Sequence, residues 1–158
     1  DEHKEYIASI EFGRSTPSYD LETMFDSIDQ RVAQISRRDF EGVLNEFTGE
    51  MDQIPPVYSA KSVDGRRAYK AARQGTAIEL RAHRIEISKL DLLHYSWPVI
   101  TLTISCSKGT YIRALARDLG ERFKTGAHLV GLKRIRSGNY HIHDAFSLEK
   151  FEQKLKIM

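Results

Sequence analysis

Apolar and polar residues alternate through KEYIASIEFG, with Tyr6, Ala8 and Ile10 on one side and Ile7 and Ser9 on the other; this predicts a strand. RSTPSYDLET follows as a loop, with Pro17 among short polar side chains. In SRRDFEGVLNEF the period lengthens. Phe40, Val43, Leu44 and Phe47 form one stripe, and Ser36 with Asp39 three residues on supplies a helix N-cap. MDQIPPVYSAKSVDG cannot be a regular helix across Pro55-Pro56, so a loop with a short extended piece is predicted there. GRRAYKAARQG predicts a short basic helix stopped at Gly75.

HRIEISKLDLLHY alternates, but its apolar phase slips between Ile87 and Leu90, which predicts a bulge. VITLTISCS alternates cleanly after Pro98. TYIRALARDLGERF returns to helical spacing, with Ile112, Leu115, Ala116 and Leu119 facing inward. LKRIRSGNYHI predicts a strand kinked at Gly138, and SLEKFEQKLK a terminal helix capped by Ser147. Strands and helices interleave without a regular βαβ spacing, and no repeat is present. One mixed α/β domain is the expected fold class.

The 158 residues are enough for one domain with a hydrophobic core, and 41% apolar with 29% charged residues argues against disorder. No apolar run approaches a membrane span. The lone cysteine, Cys106, excludes an internal disulfide and fits a reducing, cytoplasmic setting. Charge changes the picture more. Residues 1–52 carry 13 acidic against 5 basic side chains, residues 61–84 carry 7 basic against 2 acidic, and residues 108–136 carry 8 basic against 2 acidic. Two basic blocks on an otherwise acidic or neutral chain point to a polyanion-binding face, with solvated helix faces as the bland alternative.

No phosphate-binding glycine loop, Gly-x-Ser-x-Gly elbow or zinc spacing occurs. His141 and His143 lack a third ligand nearby, and Cys106 reads as a packed thiol. In the first basic block, Tyr58, Lys61, Arg66, Arg67, Tyr69, Lys70 and Arg73 interleave cations with flat rings, a combination suited to phosphates and bases. GTYIR repeats the mixture at higher density. If Thr110 to Arg113 stays extended before the helix opens, Tyr111 and Arg113 point to one side while Ile112 anchors the other.

These stretches, in this order, resemble the bacterial tRNA pseudouridine synthases of the TruB type. KEYIASIEFG and STPSYD are similar to the family's Lys-x-Tyr strand and the loop after it. GEMDQIPPVYSAKSVDGRRAYKAARQG is similar to its Gln-x-Pro-Pro-x-Tyr-Ser-Ala-x-Lys segment, and CSKGTYIRALARDLG and GAHLVGLKRIRSG complete the match. The resemblance implies a pseudouridine synthase fold, with a largely antiparallel sheet and flanking helices, and isomerisation of a T-loop uridine in transfer RNA. It implies that Tyr6 stacks on the flipped base, Tyr111 is a second active-site tyrosine placed for proton transfer, Arg113 pairs with the catalytic aspartate, and Leu132 packs against the nucleotide. Lys61, Arg66, Arg67, Lys70, Arg73, Lys108, Lys133, Arg134 and Arg136 are the expected RNA contacts. No cofactor or metal is implied, and a monomer is expected.

The family's nucleophilic aspartate belongs to a Gly-x-Leu-Asp motif preceding the Lys-x-Tyr strand, and no such motif occurs in these residues. Asp20, Asp64 and Asp118 match non-catalytic parts of the family. The expectation is therefore the C-terminal portion of a catalytic domain over residues 1–158, inactive alone and with no appended RNA-binding domain. A transfer-RNA-binding module that has lost catalysis is the alternative.

Overall fold

The computed structural model describes residues 3–29, 32–58, 62–63, 66–67 and 80–156. Strand β1 (Lys4–Phe12) buries alternate residues, and Ala8, Ile10 and Phe12 are essentially closed to solvent. A two-residue pairing of β2 (Arg14–Ser15) with β3 (Ser27–Ile28) closes the following loop at its base. Helix α1 (Arg37–Leu44) starts where its cap predicts, the Ser36 hydroxyl accepting from the Asp39 N–H at 3.1 Å. Strand β4 (Gly49–Gln53) comes next, then β5 (Ser62–Val63) and β6 (Arg66–Arg67), which pair with each other.

Strands β7 (His83–Ser96) and β8 (Val99–Cys106) form the long hairpin. Helix α2 (Ile112–Phe123) leads to β9 (Ala127–Ser137), and β10 (Tyr140–His141) folds back on it. Helix α3 (Leu148–Leu155) is capped by Ser147 as expected. The main sheet has six strands in the order β10-β9-β1-β8-β7-β4, and every pairing is antiparallel.

One face of this sheet carries the core. Ile100, Leu102 and Ile104 of β8 and Ile85, Ile87 and Leu90 of β7 join the inward residues of β1, and α1 and α2 close over them with Phe40, Leu44, Leu115 and Leu119. Each such fully buried aliphatic or aromatic side chain contributes about 1.5–3 kcal/mol relative to exposure. Phe12, Phe40 and Phe123 form a ring cluster near the end of β1, with centroids 5.2–6.0 Å apart. The phase slip in β7 is real: its register against β8 shifts between Ile87 and Lys89, returning Leu90 to the inner face.

Three expectations need correction. Arg66 and Arg67 lie in a strand pairing with Ser62 and Val63, so the basic segment does not begin as a helix. The Asp-Gly dipeptide between the two pairs is a two-residue hairpin signal that outweighs helix propensity here. The remainder of that segment, with Lys61, Lys70 and Arg73, lies outside the described residues. Strand β9 starts five residues before Leu132, because Ala127, His128 and Leu129 pair with the end of β1. Met51 to Gln53, which opened the stretch read as a loop with a short extended piece, belong to a full edge strand, GEMDQ, on β7.

Candidate active-site cleft

The chain leaves β8 at Cys106 and turns through residues 107–110. The Thr110 hydroxyl donates to the Ser107 carbonyl at 2.9 Å, and Gly109 takes φ +85°, a region costly for a side chain. Tyr111 is the last extended residue (φ −94°, ψ 107°), and the helix opens at Ile112. Arg113 therefore sits in the first helical turn, which corrects the expectation of an extended run through it. The two side chains diverge as helical geometry requires.

The Tyr111 ring meets the edge of His83, with centroids 6.0 Å apart. Arg113 projects elsewhere, to the loop after β2. Its NH1 donates to Asp20 Oδ2 at 3.1 Å and to the Ser18 carbonyl at 3.3 Å, and its NH2 donates to the Tyr58 carbonyl at 2.9 Å. Asp20 is held just as firmly. Its Oδ1 accepts from the Ser18 hydroxyl at 2.6 Å and from the Glu22 N–H at 2.9 Å, while the Ser18 and Thr23 hydroxyls share a 2.8 Å bond. One turn along α2, Arg117 lies 5.3 Å over the Tyr19 ring and donates to the Ile54 carbonyl at 3.1 Å. Burial pushes the neighbouring Asp118 carboxyl up, and Arg117 offsets part of that rise.

Arg113 and Asp20 stand at one side of a cleft of about 380 Å³, and Leu21, Glu22 and residues Leu129 to Leu132 of β9 line the rest. The volume suits a nucleoside-sized ligand. Leu132, half exposed, faces it from directly opposite Ala8. Tyr6 lies two residues along β1 on the same face, a diagonal neighbour of Leu132, with Ile104 opposite on one side and Arg134 on the other. Burial, and to a lesser degree Cys106, push the Tyr6 phenol up, and a hydrogen bond from Arg134 pulls partly against them.

The structure thus brings Arg113 and Leu132 into one cleft, with Tyr6 a diagonal neighbour of Leu132 on the sheet, while Tyr111 borders His83. The basic residues are more scattered. Lys108 is exposed in the turn before Tyr111. Arg134 shares the Tyr6 face, whereas Lys133 pairs opposite Ile7 on the other face. Arg136 is engaged with Glu5 at 3.2 Å and with the Gly138 carbonyl at 2.9 Å. His141 and His143 stack on each other with centroids 4.4 Å apart. The Cys106 thiol is pushed up by burial, with weaker opposition from Thr110 and Lys4.

The sequence did not single out Gln53; it placed Asp20 in a non-catalytic part and Tyr58 among the rings of the basic block, and connected neither to Arg113. Around Asp20 the hydroxyls divide the work: Ser18 donates to the carboxylate, Thr16 to the Asp20 backbone carbonyl, and Thr23 shares a bond with Ser18.

An antiparallel sheet flanked by helices has counterparts among solved structures. A chain from the crystal structure of a Cbf5-Nop10-Gar1 complex superposes with TM-score 0.64 over 99% of this chain and 39% of its own length, at 21% identity. A chain from an H/ACA RNP bound to a substrate RNA containing 2'-deoxyuridine gives TM-score 0.63 over 99% and 37%, at 18% identity. At such identities the likeness establishes a shared fold and nothing more.

Sequence comparison goes further. The profile for "TruB family pseudouridylate synthase (N terminal domain)" matches residues 1–112, and that for "tRNA pseudouridylate synthase B C-terminal domain" matches residues 113–158. The chain belongs to the TruB family of pseudouridylate synthases. Proteins called tRNA pseudouridine synthase B are similar to it: that of Phocaeicola vulgatus at 47% identity over 96% of this chain, and that of Francisella tularensis subsp. novicida at 40% over 98%. The chain spans 64% of the first of these and 53% of the second. The two matched stretches meet at the start of α2 and share one sheet, in which β9 of the second stretch lies beside β1 of the first, with β10 beyond it.

Proposed function

We propose that this chain forms the base-binding part of a tRNA pseudouridine synthase acting on a T-loop uridine, and that the nucleophilic aspartate comes from a Gly-x-Leu-Asp segment not among these residues. The observation that carries this reading is the fixed Arg113 at the cleft. Its described partners occupy three of the guanidinium's five N–H donors, which leaves two for another carboxylate.

The chemistry requires such a group. The uridine must leave its stack before the glycosidic bond is accessible, and an aromatic or aliphatic wall replaces part of the lost stacking. Tyr6 and Leu132 supply that wall. A carboxylate nucleophile in a partly dry cleft would hold its proton too tightly, and a guanidinium beside it favours the ionised form. Asp20 keeps Arg113 aimed, so no reorganisation is needed when the nucleophile acts. Tyr111, at the N-terminus of α2, is the candidate for the closing proton transfer at the base carbon. No step here calls on a cofactor or metal. Lys108, Lys133 and Arg134, with the basic segment around Arg66 and Arg67, are the proposed transfer-RNA contacts, and Arg136 contributes once released from Glu5.

The test separates rate from binding. In the full-length gene product, Arg113→Ala should lower the rate constant by about 100-fold or more, the scale of a lost preorganised donor, while transfer-RNA affinity stays within about threefold. Arg113→Lys should rescue little, because an ammonium lacks the planar paired donors. Equal losses in rate and affinity would make Arg113 a phosphate contact instead.

A further inference from the structure

Gln53 is the last residue of β4, just before Pro55-Pro56, and is 2% exposed. Its backbone pairs with His83 on β7. The side chain reaches across to the start of α2 and grips one residue twice. Gln53 Oε1 accepts from the Tyr111 N–H at 2.9 Å, and Gln53 Nε2 donates to the Tyr111 carbonyl at 3.2 Å. A primary amide matched to both polar groups of one residue does what a neighbouring strand would do, at the point where β8 has ended and no strand remains.

His83, paired with Gln53 in the ladder, completes the support. Its Nε2 lies 3.0 Å from the Gly109 carbonyl, and its ring stands at 88° to the Tyr111 ring. Tyr111 is thus fixed through its own backbone by Gln53 and through its ring and the preceding turn by His83.

We propose that Gln53 is a positioning residue for Tyr111, setting the direction of the phenol before RNA arrives. This rests on the proton-transfer role proposed above for Tyr111. Gln53, 2% exposed, offers almost no surface to a substrate. Its effect runs through the peptide it holds, and a displacement of about 1 Å at a reacting group costs up to about 100-fold in rate.

The test is a double-mutant cycle on the full-length gene product, read by single-turnover pseudouridine formation and by transfer-RNA affinity. Gln53→Met keeps the volume and removes both hydrogen bonds. It should slow turnover by about 10- to 100-fold with affinity within about threefold, and should add less than about threefold in a Tyr111→Phe background.

Gln53→Glu supplies a second readout that a purely structural role would not move. Protonated, the introduced carboxyl can still donate to the Tyr111 carbonyl and accept from its N–H. Ionised, it can only accept, and it faces a carbonyl oxygen. Its activity should therefore be near normal at low pH and fall as pH rises, a limb absent from the parent, with thermal melting recorded across the same range. If Gln53→Met fails to fold, Gln53→Glu at low pH still decides. Full multiplication of the Gln53→Met and Tyr111→Phe effects, or a pH-insensitive Gln53→Glu, overturns the positioning role alone. An unimpaired Tyr111→Phe overturns the role of Tyr111, and the proposal with it.

Discussion

Tyr6 shows how one side chain can join packing to a polar contact. It continues the inward stripe of β1 past Ala8, so the core holds its ring, while its hydroxyl end reaches Arg134. Burial favours the neutral phenol, so the folded chain keeps this proton at pH values where the unfolded chain loses it. The sign follows directly. The stabilisation is fully present below the ordinary tyrosine value of about 10 and is lost as pH rises through the higher folded value. A spectrophotometric titration should show a late-ionising tyrosine that disappears in Tyr6→Phe, and the loss of stability above about pH 10 should become shallower in that variant. An unchanged titration curve would place the late group elsewhere. At this scale the sequence was legible where a residue continued a periodic stripe, as Tyr6 does. It was silent where a side chain's partner lies far along the chain: Asp20 meets Arg113 across 93 residues and Gln53 meets Tyr111 across 58.

Elements were legible when their pattern and their ends agreed. Helices α1 and α3 start one residue after the serines that cap them, and the β7 bulge falls where the apolar phase slips. Strand β4 escaped because GEMDQ has little strand character of its own; it exists because the β7 edge offers it hydrogen bonds. Helix α2 and β9 meet at Gly120, where a Cβ would stand 2.4 Å from the Ala127 nitrogen and 2.6 Å from the Gly126 carbonyl carbon. Both are backbone atoms that cannot move aside cheaply. Gly120→Ala should therefore destabilise by about 2–3 kcal/mol in urea unfolding. Gly42, inside α1, has nothing within 4 Å of the position a Cβ would take. Gly42→Ala should stabilise by about 0.5–1 kcal/mol, because it removes only the backbone freedom of glycine. Opposite signs for two identical substitutions are expected; equal signs would mean that the packing of α2 on β9 is looser than described.

For the whole molecule, one sheet joins the two stretches that the family profiles separate, and the cleft depends on both: Asp20 and Leu21 come from the first stretch, Arg113 and Leu132 from the second. On the proposed reading, the arrangement supplies a wall for a flipped base beside a fixed guanidinium. Tyrosine, with an ordinary pKa of about 10, and arginine, which stays protonated, cannot replace a carboxylate nucleophile at neutral pH. Among the described residues, the carboxylate paired with Arg113, that of Asp20, is already committed to Ser18, Glu22 and Arg113 itself. The most direct measurement is tritium release from transfer RNA labelled at uracil C5. It should be made on residues 1–158 alone, on the same residues joined to a segment carrying the Gly-x-Leu-Asp motif, and on that longer chain with the motif's Asp→Asn change. Release by the longer chain only, abolished by Asp→Asn, is the expected result. Release by residues 1–158 alone would mean that an aspartate within them performs the chemistry, and would contradict the division of the active site proposed here.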